Sequence, residues 1–187
     1  MLLRIIGGSA ATNFFVKTGA LNSQLLAVDG QDIVAIPGNF FQLGIAQRID
    51  LLVKIPNEGG VFPIIAQGEG TKQQCGVILA TERKTIPKMA LQAELPTAGL
   101  DNTQELRLSA KASLTEKAVD SSLSCGLGGS MAKYVWTINN AVYPNRKSLD
   151  VKDGDRVEMV FTMRQAWRTR CIYMATTSRS LKSMVRQ

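Results

Sequence analysis

Histidine is missing altogether from the 187 residues. That absence excludes a Ser–His–Asp triad, a Cys–His nucleophile, a histidine proton shuttle and a histidine metal ligand. Cysteine is scarce. Cys75, Cys125 and Cys171 lie far apart and form no CxxC pair, which argues against a structural zinc site. Three is an odd number, so no complete disulfide framework is implied. No apolar run approaches the ~20 residues that a membrane-spanning helix needs, and no membrane partner is expected. The opening Met1-Leu2-Leu3-Arg4-Ile5-Ile6 lacks the basic-then-long-apolar layout of a signal peptide, and nothing else in the sequence fixes a cellular location.

Charge is also short in most of the chain. Charged residues make up 20% and hydrophobic residues 45%, enough for a buried core. The length suits one ordinary domain or two small ones. The net charge of +7 suggests nucleic acid at first sight, but it is localised. Residues 163–187 hold Arg164, Arg168, Arg170, Arg179, Lys182 and Arg186 and no acid, so the remainder of the chain is close to neutral.

What is present reads as all-β. Short apolar or alternating runs at residues 2–6, 13–17, 24–28, 33–36, 47–55, 61–67 and 75–80 are separated by turn residues. Asp29-Gly30 is a strong tight-turn signal. In the run 47–55, Ile49, Leu51 and Val53 share one face while Arg48, Asp50 and Leu52 share the other. Turns recur at roughly the 8–12-residue spacing of sandwiches and barrels. No segment before residue 85 has a helical period. Pro87, Pro96, Thr97, Gly99, Asp101 and Asn102 then mark a polar linker, residues 86–104. A second β region opens at Glu105-Leu106-Arg107-Leu108. It continues through Tyr134-Val135-Trp136-Thr137-Ile138, a turn at Asn139-Asn140, and the alternating run 157–162. It is too short for a complete sandwich of ~100 residues.

Few motifs carry chemistry. Gly68-Glu69-Gly70 and Gly126-Leu127-Gly128-Gly129 lack the Lys-Ser/Thr of a phosphate loop and the strand–helix setting of a dinucleotide fingerprint, so they read as turns. Asp29, Asp32, Asp50 and Glu69 show no spacing that pairs them for acid–base work. Asp29 and Gly30 read as a turn, and Arg48 and Asp50 as a polar strand face whose members pair with neighbours. Tyr134 and Trp136 at strand spacing read as core. Trp167, Tyr173 and the nearby arginines could suit nucleic acid. However, that stretch also holds Cys171 and has no apolar period.

Three stretches resemble the bacterial multicopper oxidases, laccase-like enzymes of three cupredoxin domains. Leu3-Arg4-Ile5-Ile6-Gly7-Gly8-Ser9-Ala10 resembles the opening strand of the second domain, with Gly7 where asparagine is expected. Leu26-Ala27-Val28-Asp29-Gly30-Gln31-Asp32, followed by Gly44-Ile45-Ala46-Gln47-Arg48-Ile49-Asp50-Leu51-Leu52-Val53, is the most specific stretch, through its Gln-Arg-x-Asp strand. Tyr134-Val135-Trp136-Thr137-Ile138-Asn139, with Tyr143-Pro144 and the run 157–162, is similar to the start of the third domain. The resemblance covers about residues 1–162. It implies a cupredoxin-like Greek-key β-sandwich, with one nearly complete domain over residues 1–85 and an incomplete second one over residues 105–162.

In that family a strand like 157–162 leads into a histidine-rich run, His-Pro-x-His-x-His-Gly, that supplies ligands to copper. Here that position, about Trp167 to Ala175, reads Trp-Arg-Thr-Arg-Cys-Ile-Tyr-Met-Ala. Synonymous codons for residues 163–178, read after one extra base, can spell N-A-T-G-M-A-H-P-M-H-L-H-G-H-D-F. Degenerate positions are free in such a re-reading, but the single-codon residues Met163, Trp167 and Met174 are not, and all three fit. A one-nucleotide deletion just before Met163 is therefore inferred, with residues 163–187 as an out-of-frame tail. The family's first domain and its later His-Cys-His motif are not matched, and Cys171 has no histidine partner to replace the latter.

The resemblance implies a parent that oxidises a substrate with copper and reduces O₂ to water. Its substrate (a phenol, a metal ion or another donor) is left open, and its members are typically exported to the periplasm. For this chain the expectation is a fragment with no catalytic residues, no bound copper, no specific nucleic-acid partner, and no oxidase activity. Asp29, Gly30, Arg48, Asp50 and Trp136 are assigned structural roles. Residues 1–85 are expected to be ordered and 163–187 poorly ordered. The strand 157–162 is expected to lose its partners, and strand edges to invite self-association. The alternative is a non-enzymatic β-sandwich module whose basic tail binds nucleic acid or acidic surfaces.

Overall fold

A computed structural model describes residues 1–163, apart from 82, 83, 131 and 146. The expected tail therefore lies almost wholly outside the described residues, and the motif position Trp167 to Ala175 entirely so. The described residues form strands and one short 3-10 turn, with no α-helix. They divide into two units, residues 1–113 and residues from 114 onward.

The first unit has two four-stranded sheets. One is built from β1 (Leu2–Ile6), β6 (Arg48–Lys54), β3 (Asn22–Val28) and β4 (Gln31–Gly38), in that order across the sheet. The other is built from β5 (Phe40–Leu43), β2 (Phe14–Lys17), β7 (Val61–Gly68) and β8 (Gln74–Ala80). All of these pairings are antiparallel. Neighbours in a sheet are mostly not neighbours in sequence, because the chain crosses between layers as a Greek key requires.

The period-two pattern of β6 explains its place. Ile49, Leu51 and Val53 point inward and are almost fully buried, while Leu52 and Lys54 point out. They meet Leu25 of β3, and from the other sheet Val16, Phe41 and Ile64, in one apolar cluster. Each such side chain contributes ~1.5–3 kcal/mol by leaving water. Asp29 and Gly30 both have positive φ, at 52° and 86°, which is the two-residue turn whose twist matches flanking strands. Pro37 lies within β4 rather than ending it. The strand is at a sheet edge, where a missing N–H breaks no ladder.

Residues 86–104, read from sequence as a connector, lie along this first unit. Gln73 and Gln92 form an isolated antiparallel bridge, and Ala93 N–H donates to the Lys72 carbonyl at 2.8 Å. Further on, Ala110 bridges Ile33 of β4, and Val34 N–H donates to the Ser109 carbonyl. The expected strand at Glu105-Leu106-Arg107-Leu108 is instead the 3-10 turn Glu105–Arg107, closed by Leu108 N–H donating to the Glu105 carbonyl at 3.1 Å. Leu108 then packs against the first unit's core. The physical reason is the backbone's demand for partners: a polar segment beside open sheet edges bonds to them.

The described residues of the second unit form a four-stranded sheet in the order β11 (Ala141–Val142), β10 (Val135–Ile138), β9 (Ser121–Ser130), β12 (Val157–Met163). Gly126-Leu127-Gly128-Gly129, read as a turn, lies inside β9. Its small residues fit because a Cβ on Gly128 would come 2.7 Å from Thr137 Oγ1 on β10. Nor does β12 lack a partner. It pairs in parallel with β9 from Val157↔Ser121 to Met163↔Leu127. Asn139 and Asn140, at φ 51° and 63°, make the two-residue turn between β10 and β11.

Candidate functional site

The sequence-derived candidates fall into separate places. Asp29, in the turn between β3 and β4, meets Arg48 at the start of β6. The Arg48 backbone N–H donates to Asp29 Oδ1 at 2.8 Å, and its guanidinium Nη2 donates to the Asp29 carbonyl at 2.8 Å. A Cβ on Gly30 would sit 3.6 Å from that same guanidinium nitrogen. Together the three residues staple a turn onto the start of β6. Asp50 instead faces β1, where Arg4 Nε lies 3.4 Å from its carboxylate. The Arg4 side chain is largely exposed, so the pair is worth less than about 1 kcal/mol.

Glu69 is drawn into the packing of residues 86–104. Its Oε1 accepts from Leu100 N–H at 2.5 Å, and its Oε2 accepts from Asn13 Nδ2 at 2.7 Å. Asp32 serves through its backbone, the carbonyl accepting from Lys111 N–H at 3.0 Å. Asp29, Asp50 and Glu69 are thus each engaged by a different partner: Arg48, Arg4, and the pair Asn13 and Leu100.

Trp136 does not fill a core. It is 50% exposed on β10, and Tyr134 is 80% exposed in the turn before that strand, at φ 48°. The two do not share a strand face, because the strand begins only at Val135. The Trp136 ring edge lies against Gly129 of the neighbouring strand.

Three glutamines escaped sequence reasoning. Gln67 is 0% exposed; its Oε1 accepts from Lys17 Nζ at 2.5 Å and its Nε2 donates to the Thr71 and Leu95 carbonyls at 2.8 Å. Gln104 acts as a peptide surrogate on the edge of β5: its Oε1 accepts from Gln42 N–H and its Nε2 donates to the Gln42 carbonyl, both at 2.8 Å. Gln42 in turn donates to Asp101 at 2.6 Å. A glutamine in an apolar run such as Phe40-Phe41-Gln42-Leu43 is the one signal that could have pointed to them, since a buried amide needs partners.

In the second unit, Lys117 Nζ sits 2.6 Å from the Asp120 carboxylate, and Arg156 N–H donates to it at 2.6 Å. The Lys117 ammonium, and then that backbone donor, hold the Asp120 carboxyl below its ordinary range.

The donor set for copper is poor. A mononuclear blue copper site takes two imidazoles and a thiolate, and the chain has no imidazole. Cys75 is exposed on β8 of the first unit and Cys125 is buried in β9 of the second. Among the described residues no three His, Cys, Asp or Glu side chains cluster as metal ligands would. The residues present therefore do not fit a blue copper site, which needs imidazole.

No family model matches the sequence. A multicopper oxidase of Mycobacterium tuberculosis, MmcO, is 28% identical over 159 residues, covering 85% of this chain and 31% of that protein. The chain thus spans about a third of the length of the curated relative it matches. Among solved structures, the laccase of Botrytis aclada superposes with a TM-score of 0.58 at 20% identity, covering 74% of this chain and 27% of the laccase. A multicopper oxidase of Campylobacter jejuni, described as a metallo-oxidase, gives 0.55 at 16% identity, covering 87% of this chain and 36% of that one. The all-β, cupredoxin-like fold and the resemblance to multicopper oxidases both stand on these matches and on the two-layer sandwich of the first unit.

Proposed function

We propose that this chain is a piece of a multicopper oxidase that has lost the oxidase function. The parent reaction would be copper-dependent oxidation of a substrate coupled to reduction of O₂ to water. The observation that carries the reading is the absence of histidine from a chain that otherwise matches a multicopper oxidase over most of its length. Without imidazole, neither a blue site nor a copper cluster of the family's kind has its ligands. The residual role of residues 1–85 would be that of a scaffold, since a sandwich core survives without any metal.

The proposed origin of the loss is a one-base deletion just before Met163. Resequencing across that codon tests it: one further base there would reopen the frame into His-Pro-x-His-x-His-Gly. For the chain as it stands, copper titration should give no stoichiometric uptake and no thiolate-to-copper absorption band. Oxygen uptake with a phenol or with ferrous iron should not exceed that of free copper. A blue band, or turnover that survives a chelator, would overturn the reading.

The six bases of residues 163–187 favour a second reading, binding to nucleic acid or acidic surfaces. That reading requires steeply salt-dependent affinity, lost when residues 164–187 are deleted. Self-association through strand edges is also proposed. Gln74–Ala80, at a sheet edge, carries no charge and no proline, and Val77→Lys should block it.

A further inference from the structure

The chain contains two Asp-Gly pairs, Asp29-Gly30 and Asp153-Gly154. Such a pair can rearrange without a catalyst. The glycine amide nitrogen attacks the aspartate Cγ and forms a five-membered imide. An N–Cγ bond forms, a Cγ–O bond breaks, and the carboxyl oxygen leaves as water with the amide proton and the carboxyl proton. Water then opens the imide. Cleavage at Cγ restores aspartate. Cleavage at the former backbone carbonyl leaves an isoaspartyl link, in which the chain runs through the side-chain carbon. Glycine favours the attack because no Cβ shields its nitrogen. The backbone must still rotate to bring that nitrogen over Cγ, so a folded turn reacts only as often as it opens.

The two turns differ in what holds them shut. Asp29-Gly30 joins β3 to β4, whose ladder begins at once with Val28↔Gln31. Asp29 Oδ1 accepts from the Arg48 backbone N–H, and the Asp29 carbonyl accepts from the Arg48 guanidinium, both at 2.8 Å. A Cβ on Gly30 would come 3.6 Å from that guanidinium. Asp153-Gly154 lies instead in a turn between β11 and β12, outside both strands. Asp155 N–H donates to the Lys152 carbonyl at 3.1 Å, and Lys117 Nζ donates to the Gly154 carbonyl at 2.8 Å. Asp153 and Gly154 are exposed, and a Cβ on Gly154 would meet nothing within 4 Å. At φ 81°, Gly154 takes the third place of a type II turn.

We propose that Asp153 is a site of spontaneous isoaspartate formation and that Arg48 spares Asp29 the same fate. Opening the first turn breaks contacts to β6 as well as the end of its own ladder. Opening the second breaks a backbone bond at the long end of the range and exposed side-chain contacts. The product lengthens the backbone by one methylene just ahead of Arg156, whose N–H holds Asp120. The isoaspartyl link carries a free α-carboxylate, which makes it a substrate for the class of methyltransferase that esterifies such groups for repair. The inference stands whether or not the chain descends from a copper oxidase.

Ageing the full chain at neutral pH and physiological temperature tests it. Electron-transfer fragmentation of the peptides tells isoaspartyl from aspartyl links, which have the same mass. Isoaspartate should accumulate at residue 153 at least about tenfold faster than at residue 29. In concentrated urea, where both turns are open, the two rates should converge. Asp153→Glu keeps the carboxylate but would need a six-membered ring, and it should abolish the signal at that position. Arg48→Ala should speed the reaction at Asp29 severalfold, with far-ultraviolet dichroism checking that the sheets persist. Equal rates in the folded chain overturn the proposal, as does a faster Asp29. A ratio that survives in urea would assign the difference to neighbouring sequence and overturn the structural account. A rate at Asp29 unmoved by Arg48→Ala would overturn the role given to Arg48.

Discussion

The described residues of the first unit close two sheets over one core, while those of the second form a single sheet with half-exposed apolar side chains. Both use strands of period two, both use two-residue turns with positive φ, and both satisfy their ladders. The difference lies in the second layer. Leu51 is sealed from both sides, whereas Ile138, at an equivalent inward position of its own sheet, is 49% exposed. Alternation makes a strand, but burial that stabilises it needs a facing surface. The two units therefore share a local grammar and should differ in resistance to disruption.

The largest expected effect is on matched core truncations. Leu51→Ala should lower the unfolding free energy of the first unit by ~3–4 kcal/mol in urea denaturation, the cost of a cavity at a sealed site. Ile138→Ala should cost under ~1 kcal/mol, because half of its surface already meets water. Equal losses would break the contrast. Hydrogen exchange should rank next. Amides shared by β3 and β6 should be the slowest in the chain, and those shared by β9 and β12 should exchange at least tenfold faster, following the lower local opening energy of a one-layer sheet. Comparable protection would show that the second unit is covered in solution.

Smaller effects sharpen the picture within each unit. Gln104→Ala removes both partners of the Gln42 backbone and should cost ~1–3 kcal/mol, with limited proteolysis then cutting within residues 86–104 sooner than in the parent chain. The smallest effect concerns Asp120. Its carboxyl, lowered by the Lys117 ammonium and then by the Arg156 N–H, contributes stability that is complete above the unfolded value of about 4. That contribution is lost as pH falls through the lower folded value. Asp120→Asn should flatten the acid limb of the second unit's stability profile, read by carboxyl NMR titration and acid unfolding. An unchanged limb would remove Asp120 from the account.

Strong alternation was legible in the sequence, and so were β1, β6 and the Asp29-Gly30 turn, because local pattern and tertiary burial agree there. Where they disagree the sequence misleads. Ser121-Ser122-Leu123-Ser124-Cys125-Gly126-Leu127-Gly128-Gly129-Ser130 has poor strand propensity, yet it forms the sheet's longest strand. Pairing on both sides, with room only for small residues beside Thr137, decides its conformation. Phe40-Phe41-Gln42-Leu43 carries no strand signal of its own, because it follows Pro37-Gly38-Asn39 without a clear break. Residues 86–104 read as a linker by composition, because proline and polar residues mark loops whether or not those loops dock. Trp136 read as core because alternation reports which way a side chain points and says nothing of whether another layer stands there. The separate structural settings of Asp29, Asp50 and Glu69 follow from hydrogen bonds between distant segments, which no spacing rule reveals.

The parallel ladder between β9 and β12 has a consequence for timing. Its partners are separated by 36 residues, as Ser122 and Glu158 are, while β9, β10 and β11 are joined by short turns. Hairpins of that kind close in about 1–10 μs, and distant pairings wait on the slower closure of a long loop. During synthesis β9 emerges well before β12, so one edge of a serine- and glycine-rich strand stands open in the interval. The small, weakly sticky side chains of β9 suit a strand that must wait in water for its last neighbour.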